Sequence, residues 1–158
     1  MDANAIAAML AEDRREWAAL CATLDAHPDG PLHDPSPLPS REGARGLGPE
    51  WTARDVYAHL ARWINHSTDA FELWLATRTL RPSTGEDDDT INARWQAEDS
   101  GLTLDDARAL AQQAFDRRIR AIEAVPASRW DDPVLDAIAH ADDAHHYRAH
   151  RSYIAAGG

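Results

Sequence analysis

Residues 51–79 read WTARDVYAHLARWINHSTDAFELWLATRT. Within this stretch Val56, His59, Leu60, Trp63, Ile64, Ser67, Phe71, Trp74 and Leu75 recur at steps of three and four, which lays them along one face of a helix with 3.6 residues per turn. Thr52 stands where an N-cap hydroxyl takes up free backbone amides, and Asp55 three residues later completes a capping-box pattern. A helix is therefore expected from Trp51-Thr52 to about Thr79. Its apolar stripe, which should face the core, carries a histidine, His59.

On the N-terminal side the apolar residues Ile6, Met9, Leu10, Trp17, Leu20, Cys21 and Leu24 predict an amphipathic helix from about Ala3 to Ala26. Between the two helices, HPDGPLHDPSPLPSREGARGLGPE (27–50) is rich in proline and glycine and reads as a long irregular loop. On the C-terminal side an acidic connector, Arg81 to Asp89, leads to a short helical turn around Ile91, Asn92 and Trp95 that Gly101 breaks. Thr103, with Asp106 three residues on, starts a third long helix through Leu110, Phe115, Ile119 and Val125, and Pro126 ends it. Asp132-Pro133 caps a fourth helix, expected to run unbroken through Val134, Ile138, His146, His150 and Ile154 to the terminal glycines. Long amphipathic helices without a strand pattern predict an all-α chain, a single domain over 1–158. Its simplest form is an antiparallel four-helix bundle of up-down order, with the long first loop available as a crossover.

Composition narrows the function. With 158 residues, 44% hydrophobic and 27% charged, the chain matches one soluble globular domain. No apolar run approaches the roughly 20 residues that cross a bilayer, and the acidic start lacks the basic region of a secretory signal, so a cytoplasmic location and no membrane partner are expected. The lone cysteine, Cys21, lies in an apolar helical run and reads as a buried thiol. Lysine is absent, so all 16 cationic residues are arginine and lysine Schiff-base chemistry is excluded. Against 27 acidic residues they leave a net charge of −11, which repels phosphate backbones and argues against a nucleic-acid partner.

Four of the eight histidines fall between His140 and His150. His146 and His150, four apart on a helix, have Cβ atoms roughly 6 Å apart and can turn ring nitrogens to one point. His59 is the histidine on the core face of another long helix, and convergence inside a bundle would assemble a three-imidazole site. Such a site suits zinc at about 2.0–2.1 Å, leaves a coordination position open, and also admits nickel, iron or manganese. Asp142, four residues before His146, is the candidate base or orienter of an imidazole; Asp55 has the same spacing to His59 but is already a cap. The alternative stands beside this: a histidine pair four apart is common on a solvated helix face, and a core-face histidine is more often a hydrogen-bonded core residue. His66 reads as a half-exposed end of the stripe, and His140 and His145 as solvent-facing. Trp63, Trp95 and Tyr147 flank the expected site and are candidate substrate-binding walls, although aromatics at helical spacing more often form plain core.

The segment Trp51-Thr-Ala-Arg-Asp-Val-Tyr-Ala-His59-Leu-Ala, followed by His146-Tyr-Arg-Ala-His150-Arg, resembles the DinB/YfiT-like superfamily of four-helix proteins counted as metalloenzymes, over roughly residues 1 to 156. Asn92-Ala-Arg-Trp, Leu104 and HYRAHR most resemble the ClbS/DfsB branch and mycothiol-dependent isomerase domains. The resemblance implies a metal held by His59, His146 and His150. It further implies a metal-dependent enzyme acting on a small electrophilic substrate with activated water or a low-molecular-weight thiol such as mycothiol. The other function it allows is self-protection, in which the bundle binds and sequesters a reactive natural product without metal chemistry. Bundles of this kind commonly dimerise through an exposed apolar helix face, so a homodimer is an open expectation.

Overall fold

The computed structural model describes residues 1–32 and 51–155, so most of the expected 27–50 loop lies outside the described residues. The described residues are all-helical, with six α-helices: α1 (Ala3–Asp25), α2 (Ala53–Thr77), α3 (Asp88–Glu98), α4 (Leu104–Glu123), α5 (Pro133–Ala139) and α6 (Ala144–Ala155). No helix among them is long and apolar enough to cross a membrane.

The starts of the helices follow from local chemistry. Thr52 and Asp55 close a capping box on α2, with the Thr52 amide donating to Asp55 Oδ2 at 2.9 Å. Thr103 and Asp106 do the same for α4, and Asp132 accepts from Val134 N at 3.0 Å with Pro133 in the first turn of α5. Each box satisfies amides that the first helical turn otherwise leaves bare.

Contacts along the helices fix their directions. Tyr57 near the start of α2 donates its hydroxyl to Asp25 at the end of α1 (2.8 Å), so these two run antiparallel. The Arg108 guanidinium lies 5.8 Å from the Tyr57 ring, while Arg117 donates to Asn65 (3.0 Å) and Asp69 (2.7 Å), so α2 and α4 run parallel. Ala144 N meets Asp13 and Arg151 meets Glu16, so α6 runs parallel to α1. A strict up-down order, with a crossover available in the first loop, is therefore corrected. The end of α1 and the start of α2 lie together, and the return along the bundle falls to residues 78–103, which carry α3.

Two element boundaries also differ from expectation. The short turn near Trp95 is a full helix, α3, because Asp87 accepts from Thr90 N (2.7 Å) and Asp88 and Asp89 place negative charge at the positive end of its dipole. The acidic connector thus runs into the helix. The fourth helix is not continuous: it breaks at residues 140–143 into α5 and α6. Asp142 adopts a left-handed φ of 55°, and Asp143 Oδ1 accepts from His145 N at 2.8 Å as a cap for the new helix. Aspartate side chains compete for backbone amides in this way, which is why they favour caps over helix interiors.

Leu20, Leu24, Val56, Leu60, Ile64 and Leu135 are fully buried in the core. Across it Trp17 stacks on Phe115 with centroids 4.7 Å apart. Thr103→Ala removes one capping hydroxyl and leaves this core untouched. The expected cost is about 1 kcal/mol, read as a lower urea midpoint with an unchanged far-ultraviolet helical signal.

Candidate metal centre

His59 sits in the second turn of α2, on the buried face between Trp51 (ring centroids 5.2 Å apart) and Trp63 (6.4 Å). His146 and His150 project from α6 one turn apart, with ring centroids 4.6 Å apart and their Nε2 atoms 2.7 Å apart. The antiparallel crossing of α2 and α6 brings the His59 ring within 5.1 Å of His150 and 6.0 Å of His146. One ring nitrogen from each lies within 4.8 Å of the other two, so the described residues contain a three-histidine group, with His59 and His150 buried and His146 partly exposed, that could hold a metal.

The chemistry of this donor set fits a cation. Ligand nitrogens at 2.0–2.1 Å from a tetrahedral ion lie about 3.3 Å apart, between the 2.7 Å of the Nε2 pair and the 4.8 Å limit of the cluster. His59 Nδ1 is buried with no hydrogen-bond partner among the described residues, a costly state for a polar atom in a core. Metal ligation also needs neutral imidazoles. Burial first, and His146 second, hold His59 down to about 3, while Asp142 and Asn92 pull the other way.

Around the histidines stands a supporting layer. Asp142 lies outside α6, yet its Oδ1 is 2.6 Å from His146 Nδ1. Accepting the Nδ1 proton fixes the tautomer and turns the Nε2 lone pair toward the cluster. Burial raises the Asp142 pKa, but the hydrogen bond and charge of His146, with Ser67 and Arg118, outweigh it and hold the carboxyl below the usual range. On the other side Trp63 Nε1 donates to Asn92 Oδ1 at 2.7 Å, and Asn92 of α3 is itself buried. A cleft of about 230 Å³, counting its open mouth, lies between α2 and α3 with Trp51, Ala58, His59, Asn92, Trp95 and Gln96 in its walls.

The structure places the other sequence candidates as follows. Trp95 lines the cleft, and Trp63 packs against it edge to face at 5.0 Å. Tyr147 is fully buried in the core, edge-on to Trp17 (5.3 Å) and Phe115 (5.9 Å), and burial pushes its phenol pKa up. Asp55 is occupied by the α2 cap and by Arg54 at 2.6 Å. His66, His140 and His145 are exposed; His66 leans on Trp63 at 5.6 Å and His140 bonds Asp143.

Sequence reasoning passed over Trp51, Asn92, Asp13 and Arg118. For the last two a signal was present: they occupy positions on the apolar stripes of α1 and α4, one turn from Trp17 and one turn from Ala114. A charge at a core position calls for a buried partner. Compared with family models, with curated proteins and with solved structures, the chain matches none. The site is therefore read from its own geometry.

The His59 shift has a direct consequence for the metal-free protein. The unfolded chain titrates this group near 6.5 while the folded one holds it near 3, so at acid pH the unfolded state binds more protons. The penalty is absent above about 6.5 and grows as pH falls toward 3, by up to about 1.4 kcal/mol per unit. Urea unfolding between about pH 4.5 and 7 should show a shallower loss of stability for His59→Gln than for the parent; equal slopes would contradict burial as the cause.

Proposed function

We propose that the chain is a metal-dependent enzyme of the DinB/YfiT type, a four-helix bundle whose His59, His146 and His150 hold one divalent cation, zinc by preference. It acts on a small electrophilic substrate, as a hydrolase using activated water or as a transferase or isomerase using a low-molecular-weight thiol such as mycothiol. The observation that carries this reading is the approach of three imidazole nitrogens from two helices to within 4.8 Å of one another. The likeness of the segments around His59 and His146 to that superfamily, which rests on the same histidines, is in keeping with it.

A bound cation would supply Lewis-acid chemistry, lowering the pKa of a water to about 7 or favouring a thiolate. The residues of the chain do the rest. Asp142 holds His146 in one tautomer. This orienting role is favoured over that of general base, because its Oδ1 is committed to His146 and its pKa is held low. Trp51 and Trp95 are the flat apolar members of the cleft wall beside His59, against which a substrate would lie. All three histidines belong to one chain, so a homodimer, if formed, is not required to complete the ligand set.

Metal analysis of untagged protein, paired with mass spectrometry of products from a panel of electrophiles with and without mycothiol, tests the proposal. One metal per chain and a metal-dependent product are expected. Stoichiometric metal without product would favour a binding protein that sequesters a reactive natural product, and absence of metal uptake would remove the enzymatic reading. His150→Ala should abolish stoichiometric metal while leaving the helical circular-dichroism signal largely intact, because ligands in a preformed bundle need not support the fold. Asp142→Asn should retain the metal but bind it about 10–100-fold more weakly, as losses behind a ligating histidine do.

A further inference from the structure

Asp13 of α1 and Arg118 of α4 are 0% and 3% exposed, and neither belongs to the histidine cluster. Arg118 Nη1 donates to Asp13 Oδ2 at 2.6 Å, and Arg118 Nη2 donates to the carbonyl of Ala139, the last residue of α5, at 2.6 Å. Asp13 Oδ1 accepts from the backbone amide of Ala144, the first residue of α6, at 2.8 Å. The pair therefore grips both sides of the break at residues 140–143. Inside that break sits Asp142, with its left-handed backbone and its hydrogen bond to His146.

A buried ion pair is not needed to hold helices together, since apolar residues of similar volume often do so as well or better. An apolar pair cannot, however, accept from one chosen amide and donate to one chosen carbonyl. Those two hydrogen bonds tie the last residue of α5 and the first residue of α6 to α4 and α1, on either side of the break that Asp142 and Asp143 form, at the root of the helix that carries His146 and His150.

We propose that the Asp13–Arg118 pair is a positioning device for the metal centre, which shapes the α5–α6 break and, through Asp142, aims His146 toward His59 and His150. This inference rests on the metal-binding reading above. It joins α1 and α4 to a site whose ligands come from α2 and α6, so that helices without a ligand still set ligand geometry. Coupling of this kind is reciprocal: a cation that needs the aligned break must also tighten it.

The test is the double variant Asp13→Leu with Arg118→Met, which fills the space without the two directional bonds. It should keep its helical signal and a cooperative urea transition. Its affinity for Zn²⁺, measured by competition with a chromophoric chelator, should fall about 10–100-fold, the range seen when support behind a metal ligand is lost. A folded double variant with parental zinc affinity overturns the proposal.

Should that variant fail to fold, the parent protein carries the test through hydrogen exchange of the Ala144 amide. With Zn²⁺ at about 100 times its Kd, any opening that requires release of the ion slows by up to about 100-fold. Ala144 is expected to slow at least about tenfold more than the amide of Ala5, which is capped by Asp2 within its own helix. Equal slowing of the two amides overturns the positioning role while leaving the metal centre standing. Failure of the parent to bind Zn²⁺ removes the metal-binding reading and this inference with it.

Discussion

Asp13 and Arg118 face each other out of reach of water, and the rest of the bundle is built in register with them. A lone buried charge costs several kcal/mol, and deleting one member of such a pair about 3–5 kcal/mol, so α1 and α4 cannot slide past each other without breaking it. The spare oxygen of the carboxylate and the spare amino group of the guanidinium are used by the start of α6 and the end of α5. One interaction thus spans α1, α4, α5 and α6. Only α2 and α3 are held otherwise, through Tyr57 against α1, Arg117 against α4, and the Trp63–Asn92 hydrogen bond.

Within that frame the histidines occupy an environment that a plain core would not choose. His59 Nδ1 is buried without a hydrogen-bond partner among the described residues, and the Nε2 atoms of His146 and His150 are directed at each other. Burial works in favour of ligation here, because it keeps His59 neutral through the physiological range. The same burial makes the cluster a local weakness of the folded chain at acid pH. Strain at a site that the surrounding structure over-determines is the usual mark of function.

Much of the architecture was legible along the chain. The capping boxes at Thr52 and Thr103, the Asp132-Pro133 start, and the stripe through Val56, Leu60 and Ile64 all depend on residues within four positions of each other. The structure reproduces them with the expected bonds. The pair His146 and His150 was readable for the same reason. The break after Ala139 was passed over because the apolar spacing of α5 and α6 continues in phase across it, while the two aspartates that end one helix and cap the next leave no gap in that spacing. Tyr147 looked like a wall of the site because it neighbours His146 in sequence. Its ring goes instead to Trp17 and Phe115, since adjacent helical residues point about 100° apart.

The sequence by itself determined which segments are helical, which faces are apolar, and that two histidines share one face of the last helix. These outcomes follow from periodicity and capping, which act over a single turn. Only the tertiary structure decided that His59 meets that pair and that α2 and α4 run parallel with α3 in the return. Those features join residues 29 or more positions apart. At such separations they arise from how whole helices pack and where a buried charge finds its partner, neither of which is written in any local pattern.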